Sequence, residues 1–224
     1  MTSLNYDHTA IVNSRSLYQK NVFDAATYKY KVIKSPTDIK LGKKVTKGKL
    51  KGAKIYILTL EERETCDLDC EHWLDCYGNN MPFAHRFIVN EALLIAIERD
   101  LDELDAKGKA YLVRLHILGD FPTLAYVTFW KKQLSKRPLL NIYGYTRNHP
   151  TKPLGLSISS VRDLYGERFA IRFSSFPSDP MSAQSEHVST VGIGCPHQLK
   201  LAKSCGACAL CWSMPKKPVI FYDH

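Results

Sequence analysis

The chain has 224 residues, with 45% hydrophobic, 11% aromatic and 24% charged side chains. That composition supports a packed α/β core and excludes a largely disordered chain. The formal net charge of +9 points to anionic partners, and no stretch of about 18 apolar residues is present to suggest a membrane span.

Residues 1–53 read as a basic, polar N-terminal extension. No secretory leader is expected, because no basic start is followed by an apolar run. Lys40, Lys43, Lys44, Lys47, Lys49, Lys51 and Lys54 fall in a stretch without an acid, interleaved by Gly42, Gly48 and Gly52. Such a run is a solvated turn or, alternatively, a phosphate-contacting arm for nucleic acid through Lys43, Lys44, Lys47, Lys49 and Lys51.

An α/β core is expected over residues 54–190. Residues 54–60 (KIYILTL) form a buried strand, and a cysteine-bearing loop follows at 61–82. A helix is expected from about Pro82 to Leu104, with Ala84, Phe87, Ile88, Ala92 and Ile95 on its apolar face. Residues 111–117 form the next strand. Thr123 caps a helix running to about Leu134, with Trp130 on its core face. Further strands are expected at 139–146, 156–159 and 169–173, with a short helix at 161–165. Strands alternating with helices imply a mostly parallel sheet, as a partial or degenerate βα barrel. Residues 191–224 form a cysteine-rich C-terminal segment, expected to wrap a metal rather than build sheet.

Seven cysteines are an odd number, which argues against a simple disulfide framework. The expected compartment is the cytoplasm, where thiols stay reduced. Cys66, Cys70 and Cys76 are spaced C-x3-C-x5-C in the loop after the first core strand, where α/β proteins place ligand sites. Three thiolates suit a [4Fe–4S] cluster with one iron left without a protein ligand. Zinc is the alternative metal, with His72 as a fourth ligand. Asp67, Asp69 and Asp75 lie among these cysteines. The second group, Cys195, Cys205, Cys208 and Cys211, has the spacing C-x9-C-x2-C-x2-C, close to a ferredoxin run. Lys200, Lys203, Lys216 and Lys217 flank it and either offset thiolate charge or form a solvated face.

Arg114, His116, Gly119 and Asp120 sit on and just after the second core strand, with Arg114 and His116 expected on one face. Gly119 would let backbone approach a ligand. Arg147, at the end of the third strand with Tyr145, Thr146 and Asn148, could bind a carboxylate or phosphate. Ser174, Ser175 and Asp179 end a later strand and offer polar groups at the same sheet edge.

In plan the chain resembles the radical S-adenosylmethionine enzymes. There a three-cysteine loop after the first strand holds a [4Fe–4S] cluster, and a glycine-acid motif after the second holds the amine of S-adenosylmethionine. Cys66, Cys70 and Cys76 match the loop by position, and Gly119 and Asp120 match the motif. The spacing departs from the usual C-x3-C-x2-C, and Asp75 stands where an aromatic is usual.

The strings LGKKV at 41–45, CYGNNMP at 76–82, HILGDF at 116–121, YTR at 145–147 and CGACALCW at 205–212 resemble the phage-encoded "gene product 88" family over about residues 40–213. That resemblance implies a phage protein working in a bacterial host cytoplasm. The expected function is a two-cluster iron–sulfur protein, either a radical S-adenosylmethionine-like enzyme or a non-catalytic electron-transfer protein. The third reading is a zinc-stabilised nucleic-acid-binding protein. The expected partners are a small molecule or nucleic acid and an electron donor, without a membrane.

Overall fold

The computed structural model describes residues 2–187, 191–213 and 217–222. In chain order the elements are α1 (Thr9–Val12), β1 (Val22–Phe23), β2 (Lys54–Ile57), β3 (Arg86–Phe87), α2 (Glu91–Asp105), β4 (Tyr111–Leu115) and α3 (Leu124–Lys136). They continue with β5 (Leu140–Thr146), α4 (Pro153–Tyr165), β6 (Phe169–Phe173), β7 (Ala183–Ser185), β8 (Ile193–Gly194), α5 (Cys205–Cys208) and β9 (Val219–Phe221).

The fold is mixed α/β, and all of its strand ladders are parallel. The main sheet has the order β2-β4-β5-β6, with α2, α3 and α4 as the successive connections. Parallel neighbours require such crossovers. A two-stranded sheet pairs β1 with β3, and a three-stranded sheet has the order β7-β9-β8. Two isolated antiparallel bridges, Lys34 to Ile57 and Lys44 to Lys54, lay N-terminal residues along the free edge of β2.

Strand alternation divides the main sheet into two unlike faces. Tyr56, Val113, Leu115, Ile142, Phe169 and Ile171 join the larger core with Leu93, Ile97, Leu101, Val127, Trp130, Leu134 and Ile158 of the helices. Ile55, Leu112, Tyr143 and Ala170 point the other way. They pack with Val45 and Ala53 of the N-terminal segment and Ala209 and Trp212 of the cysteine-rich segment. Tyr143 and Trp212 meet at 4.9 Å between ring centroids.

The second core helix starts later than its apolar spacing suggested. Residues 82–90 hold β3 instead, and α2 begins after Asn90, whose side chain accepts the Leu93 N–H at 3.0 Å. Its buried face is Leu93, Ala96, Ile97, Leu101 and Leu104, while Ile95 is 61% exposed. The strand expected at 156–159 is the middle of α4. Leu154, Ile158, Val161 and Tyr165 recur at helical spacing, and Pro153 stands in its first turn, where a missing N–H costs nothing. The expected helix after Thr123 is present, with the Thr123 hydroxyl accepting the Tyr126 N–H and Trp130 fully buried. The C-terminal segment also supplies β8 and β9 to a sheet.

The N-terminal segment, residues 2–53, is folded onto this core. The Asp100 carboxylate on α2 accepts the N–H groups of Val32 and Ile33 at 2.7 and 3.0 Å, and both residues are buried. No helix among the described residues is long and apolar enough to cross a membrane.

Trp130 fills the helix-side core, so Trp130→Ala should lower unfolding free energy by about 3–5 kcal/mol in chemical denaturation.

Candidate metal centre

The first cysteine loop is anchored by charges buried just ahead of it. Glu61, Glu62 and Arg63 follow the end of β2 and are all buried. Arg15 grips Glu61 with two bonds of 2.8 Å, Gln19 donates to the same carboxylate, and the Ser16 N–H adds a third partner at 3.0 Å. Glu62 accepts from Arg86 at 2.6 Å and from the Ser16 hydroxyl at 2.8 Å. Arg63 donates to Asn79 at 2.8 Å and to the Trp73 carbonyl at 3.0 Å, closing the loop's base across the cysteines. Burial pushes the Glu61 pKa up, but Arg15, Gln19 and Ser16 outweigh it and hold the carboxylate below its ordinary 4.5. The sequence signal was present as four consecutive charges after a strand, Glu61 to Glu64, in a place where solvated residues are the usual expectation.

Within the loop, the Gly78 N–H donates to Cys76 Sγ at 3.4 Å. All three thiols have raised pKa values, with burial the largest cause; Cys66 stands well above its ordinary value. Cys66 also feels Asp120 and its two neighbouring thiols. His72 is exposed and contacts Asp75 at 3.3 Å, while Asp67 and Asp69 face Lys152.

The second cysteine group lies over the sheet face opposite the helices. Cys195 follows β8 and donates its N–H to the Ile220 carbonyl at 2.8 Å. Cys205 and Cys208 bound α5, which Ser204 caps by accepting the Ala207 N–H at 3.2 Å. The Cys205 and Gly206 N–H groups donate to the carbonyls of Lys40 and Leu41, and the Thr46 N–H donates to Gly206. A Cβ on Gly206 would stand 2.3 Å from the Lys44 carbonyl oxygen, so this close approach demands glycine.

Cations of the sheet's second face meet the thiols. Tyr145 Oη donates to Cys211 Sγ at 3.0 Å, and Arg172 Nε donates to the Cys211 carbonyl at 3.2 Å. Arg114 lies over the ring of Tyr145 at 5.2 Å. Burial works against the Arg114 charge, but Tyr143, Tyr145, Cys205 and Cys211 outweigh it and raise its pKa. Burial pushes the Cys205 thiol up to about 12, against the pull of Arg114 and Lys40. Cys211 is likewise raised by burial, with Tyr145 and Arg172 opposing. Arg114 Nε and Arg172 Nη2 are buried without a hydrogen-bond partner. Lys200, Lys203 and Lys217 are instead exposed, and Lys216 lies outside the described residues. Lys40 and Arg172 therefore take the charge-balancing positions expected of the flanking lysines.

A cavity of about 440 Å³ separates the two groups, bordered by Cys70 of the first and by Cys195, Cys205, Cys208 and Cys211 of the second. Arg114, Arg147, Ser174 and Ser175 also border it. The Ser175 hydroxyl donates to Glu71 at 2.8 Å, joining the end of β6 to the first loop. Asp179 does not share this edge, because Arg162 holds its carboxylate at 2.6 Å. Among the described residues, no three Cys, His, Asp or Glu side chains converge into a metal-holding group.

The glycine-acid pair is turned toward protein. Gly119 has φ +80°, and a Cβ there would stand 2.5 Å from Thr65 Oγ1 and 2.7 Å from Leu60 Cβ, so its close approach is to the first loop and not to a ligand. Asp120 accepts the N–H groups of Phe121 and Arg147, each at 2.7 Å, and does not border the cavity. Burial, against those bonds, raises its pKa to about 6. His116 is not on the Arg114 face. The ladder of β4 ends at Leu115, and His116 Nε2 meets Tyr126 Oη at 3.0 Å beneath α3. Burial, and then Arg114, lowers its pKa to about 3. Arg147 borders the cavity with its guanidinium 4.7 Å from the Phe176 ring centroid. Lys43, Lys44, Lys47, Lys49 and Lys51 are exposed around a turn closed between Val45 and Ala53, and Lys49 pairs with Glu167.

Comparison with family models, curated proteins and solved structures gives no match.

Glu61 contributes stability that is lost as pH falls through its depressed pKa. Arg15→Ala should let that pKa rise, so acid unfolding, followed by circular dichroism, should begin at higher pH than in the parent protein.

Proposed function

We propose that this chain is a two-site iron–sulfur protein built on a segment of a βα barrel, with a radical S-adenosylmethionine-like arrangement. The observation that carries this reading is one cavity bordered by thiols of both cysteine groups. The chemistry of the donors fits the group, although their side chains are not drawn together into one converged set among the described residues. Sulfur is a soft ligand suited to iron–sulfur clusters. The buried thiols have raised pKa values, so ionisation calls for a cation. Buried guanidinium donors with no protein partner stand on the same face as Cys205 and Cys211.

Cys66, Cys70 and Cys76 would hold one cluster, and Cys195, Cys205, Cys208 and Cys211 the other. Such clusters supply one-electron chemistry when bound. The chain's own residues set the surroundings. Tyr145 donates to a ligand sulfur, Arg172 fixes the Cys211 backbone, and Lys40, Arg114 and Arg147 offset negative charge. Three thiols in the first group leave room for a small-molecule ligand, and S-adenosylmethionine is the one proposed.

A non-catalytic electron-transfer protein is the second reading. It is favoured by Asp120, whose carboxylate already accepts two backbone N–H groups and stands outside the cavity.

Protein prepared without oxygen should contain both iron and acid-labile sulfide. Cys70→Ser and Cys208→Ser should each remove part of that iron, and the double variant nearly all of it. Stoichiometric zinc without sulfide would refute the iron–sulfur reading. Reduced protein given S-adenosylmethionine should release 5′-deoxyadenosine; intact clusters without product or binding would select the second reading.

Tyr145→Phe removes a hydrogen bond to a ligand sulfur and should make the reduction potential of the second cluster more negative in a redox titration.

A further inference from the structure

Away from the cysteines, the segment between β1 and β2 builds a second cluster of reactive groups. Lys34 pairs with Ile57 at the carboxyl end of β2. Its Nζ lies 4.9 Å from the ring centroid of Tyr28 and 5.6 Å from that of Phe87. The same Nζ is 2.6 Å from Tyr28 Oη and 3.2 Å from His85 Nδ1. Tyr28 Oη is 2.7 Å from that Nδ1, so the three groups close a triangle.

The surroundings favour an uncharged amine. Burial lowers the Lys34 pKa, and no carboxylate opposes it. Glu103, the acid bordering this groove, is paired with Lys31, and Arg99 is paired with Asp100. Burial and then Lys34 lower the His85 pKa, leaving its ring neutral and able to accept a proton. Tyr28 is raised by burial and then by Tyr30, so it stays protonated.

Two cavities meet at the triangle. One is an open groove of about 730 Å³ bordered by Lys29, Tyr30, Lys31 and Arg99. The other, of about 230 Å³, is walled by Val32, Ile57, Phe87 and Ile117. Lys34 and His85 border both. A nucleophilic amine therefore stands between an apolar pocket and a basic groove.

We propose that Lys34, Tyr28 and His85 form an imine-forming site for a small carbonyl compound that carries an anionic group. The Nζ lone pair forms a C–N bond at the carbonyl carbon, and the C=O π pair moves to oxygen. That oxygen takes the Tyr28 proton, while His85 Nδ1 takes a proton from nitrogen and returns it to Tyr28. The hydroxyl then leaves as water with the Tyr28 proton, the nitrogen lone pair closes the C=N bond, and the proton left on nitrogen passes through His85 back to Tyr28. One amine and one carbonyl become one imine and one water, with no change of oxidation state. The basic groove holds the anionic group, and the apolar pocket holds the body of the molecule.

The test uses the full chain with pyridoxal 5′-phosphate near neutral pH, borohydride reduction and peptide mass spectrometry. Burial lowers the Lys34 pKa and leaves more of its amine free, so Lys34 should carry severalfold more adduct than Lys29 or Lys31. Adduct spread evenly over the three lysines, or absent from Lys34, overturns the proposal. Pyridoxal, which lacks the phosphate, should label Lys34 more slowly; equal labelling overturns the anionic requirement. Tyr28→Phe should slow labelling of Lys34 and leave Lys29 unchanged. If this variant fails to fold, the comparison among lysines of the parent protein decides alone.

Discussion

Two adjacent carboxylates, Glu61 and Glu62, are buried at the point where the first strand of the main sheet gives way to the cysteine loop. A buried charge is tolerated only with a partner and further hydrogen bonds, and removing one partner of such a pair costs about 3–5 kcal/mol. The partners come from far along the chain: Arg15 and Ser16 from the N-terminal segment, and Arg86 from β3. This demand fixes the loop's base, draws the N-terminal segment over the strand end and holds the short β1–β3 pair against the core. The cysteines are consequently carried on a stiff platform at the carboxyl edge of a parallel sheet.

The second organising feature is the inequality of the sheet's faces. One is covered by three helices in the ordinary manner of an open α/β sheet. The other presents Arg114, Tyr143, Tyr145 and Arg172, which helices with apolar stripes could not cover without stranding their donors. The cysteine-rich segment covers it instead, bringing the Cys211 sulfur to Tyr145 and the Cys211 carbonyl to Arg172. Lys34 repeats the arrangement in smaller form, its amine packed on rings and not paired with an acid.

Much of this was legible in the sequence. Alternation of β-branched and aromatic residues gave β2, β4, β5 and β6, and the Thr123 cap gave the start of α3. The α4 helix was missed because Leu156 and Ile158 alternate with serines, which mimics a strand, while the longer pattern from Leu154 to Tyr165 is helical. The start of α2 was misplaced because Pro82 suits a first turn, yet residues 86–87 pair with β1. Both cysteine groups were read from spacing alone, and Cys70 and the four later cysteines border one cavity. What spacing could not carry was which charges meet them. Lys40, Arg172 and the Glu61–Arg63 run reach the site through tertiary folding, and Asp120 and Gly119 proved to hold strand ends together. His116 has the same origin: its residue type suggested chemistry, but its position after the ladder turned it beneath a helix.

The contact between residues 40–46 and Cys205–Gly206 has a kinetic side. These segments lie about 160 residues apart, and pairing of such distant partners is slow because loop closure precedes any gain from the contact. During synthesis the lysine turn waits on an uncovered sheet face until residues 205–206 have emerged. The seam between residues 40–46 and 205–206 is therefore a late-forming latch, and the second set of thiols reaches its final surroundings only when that latch closes.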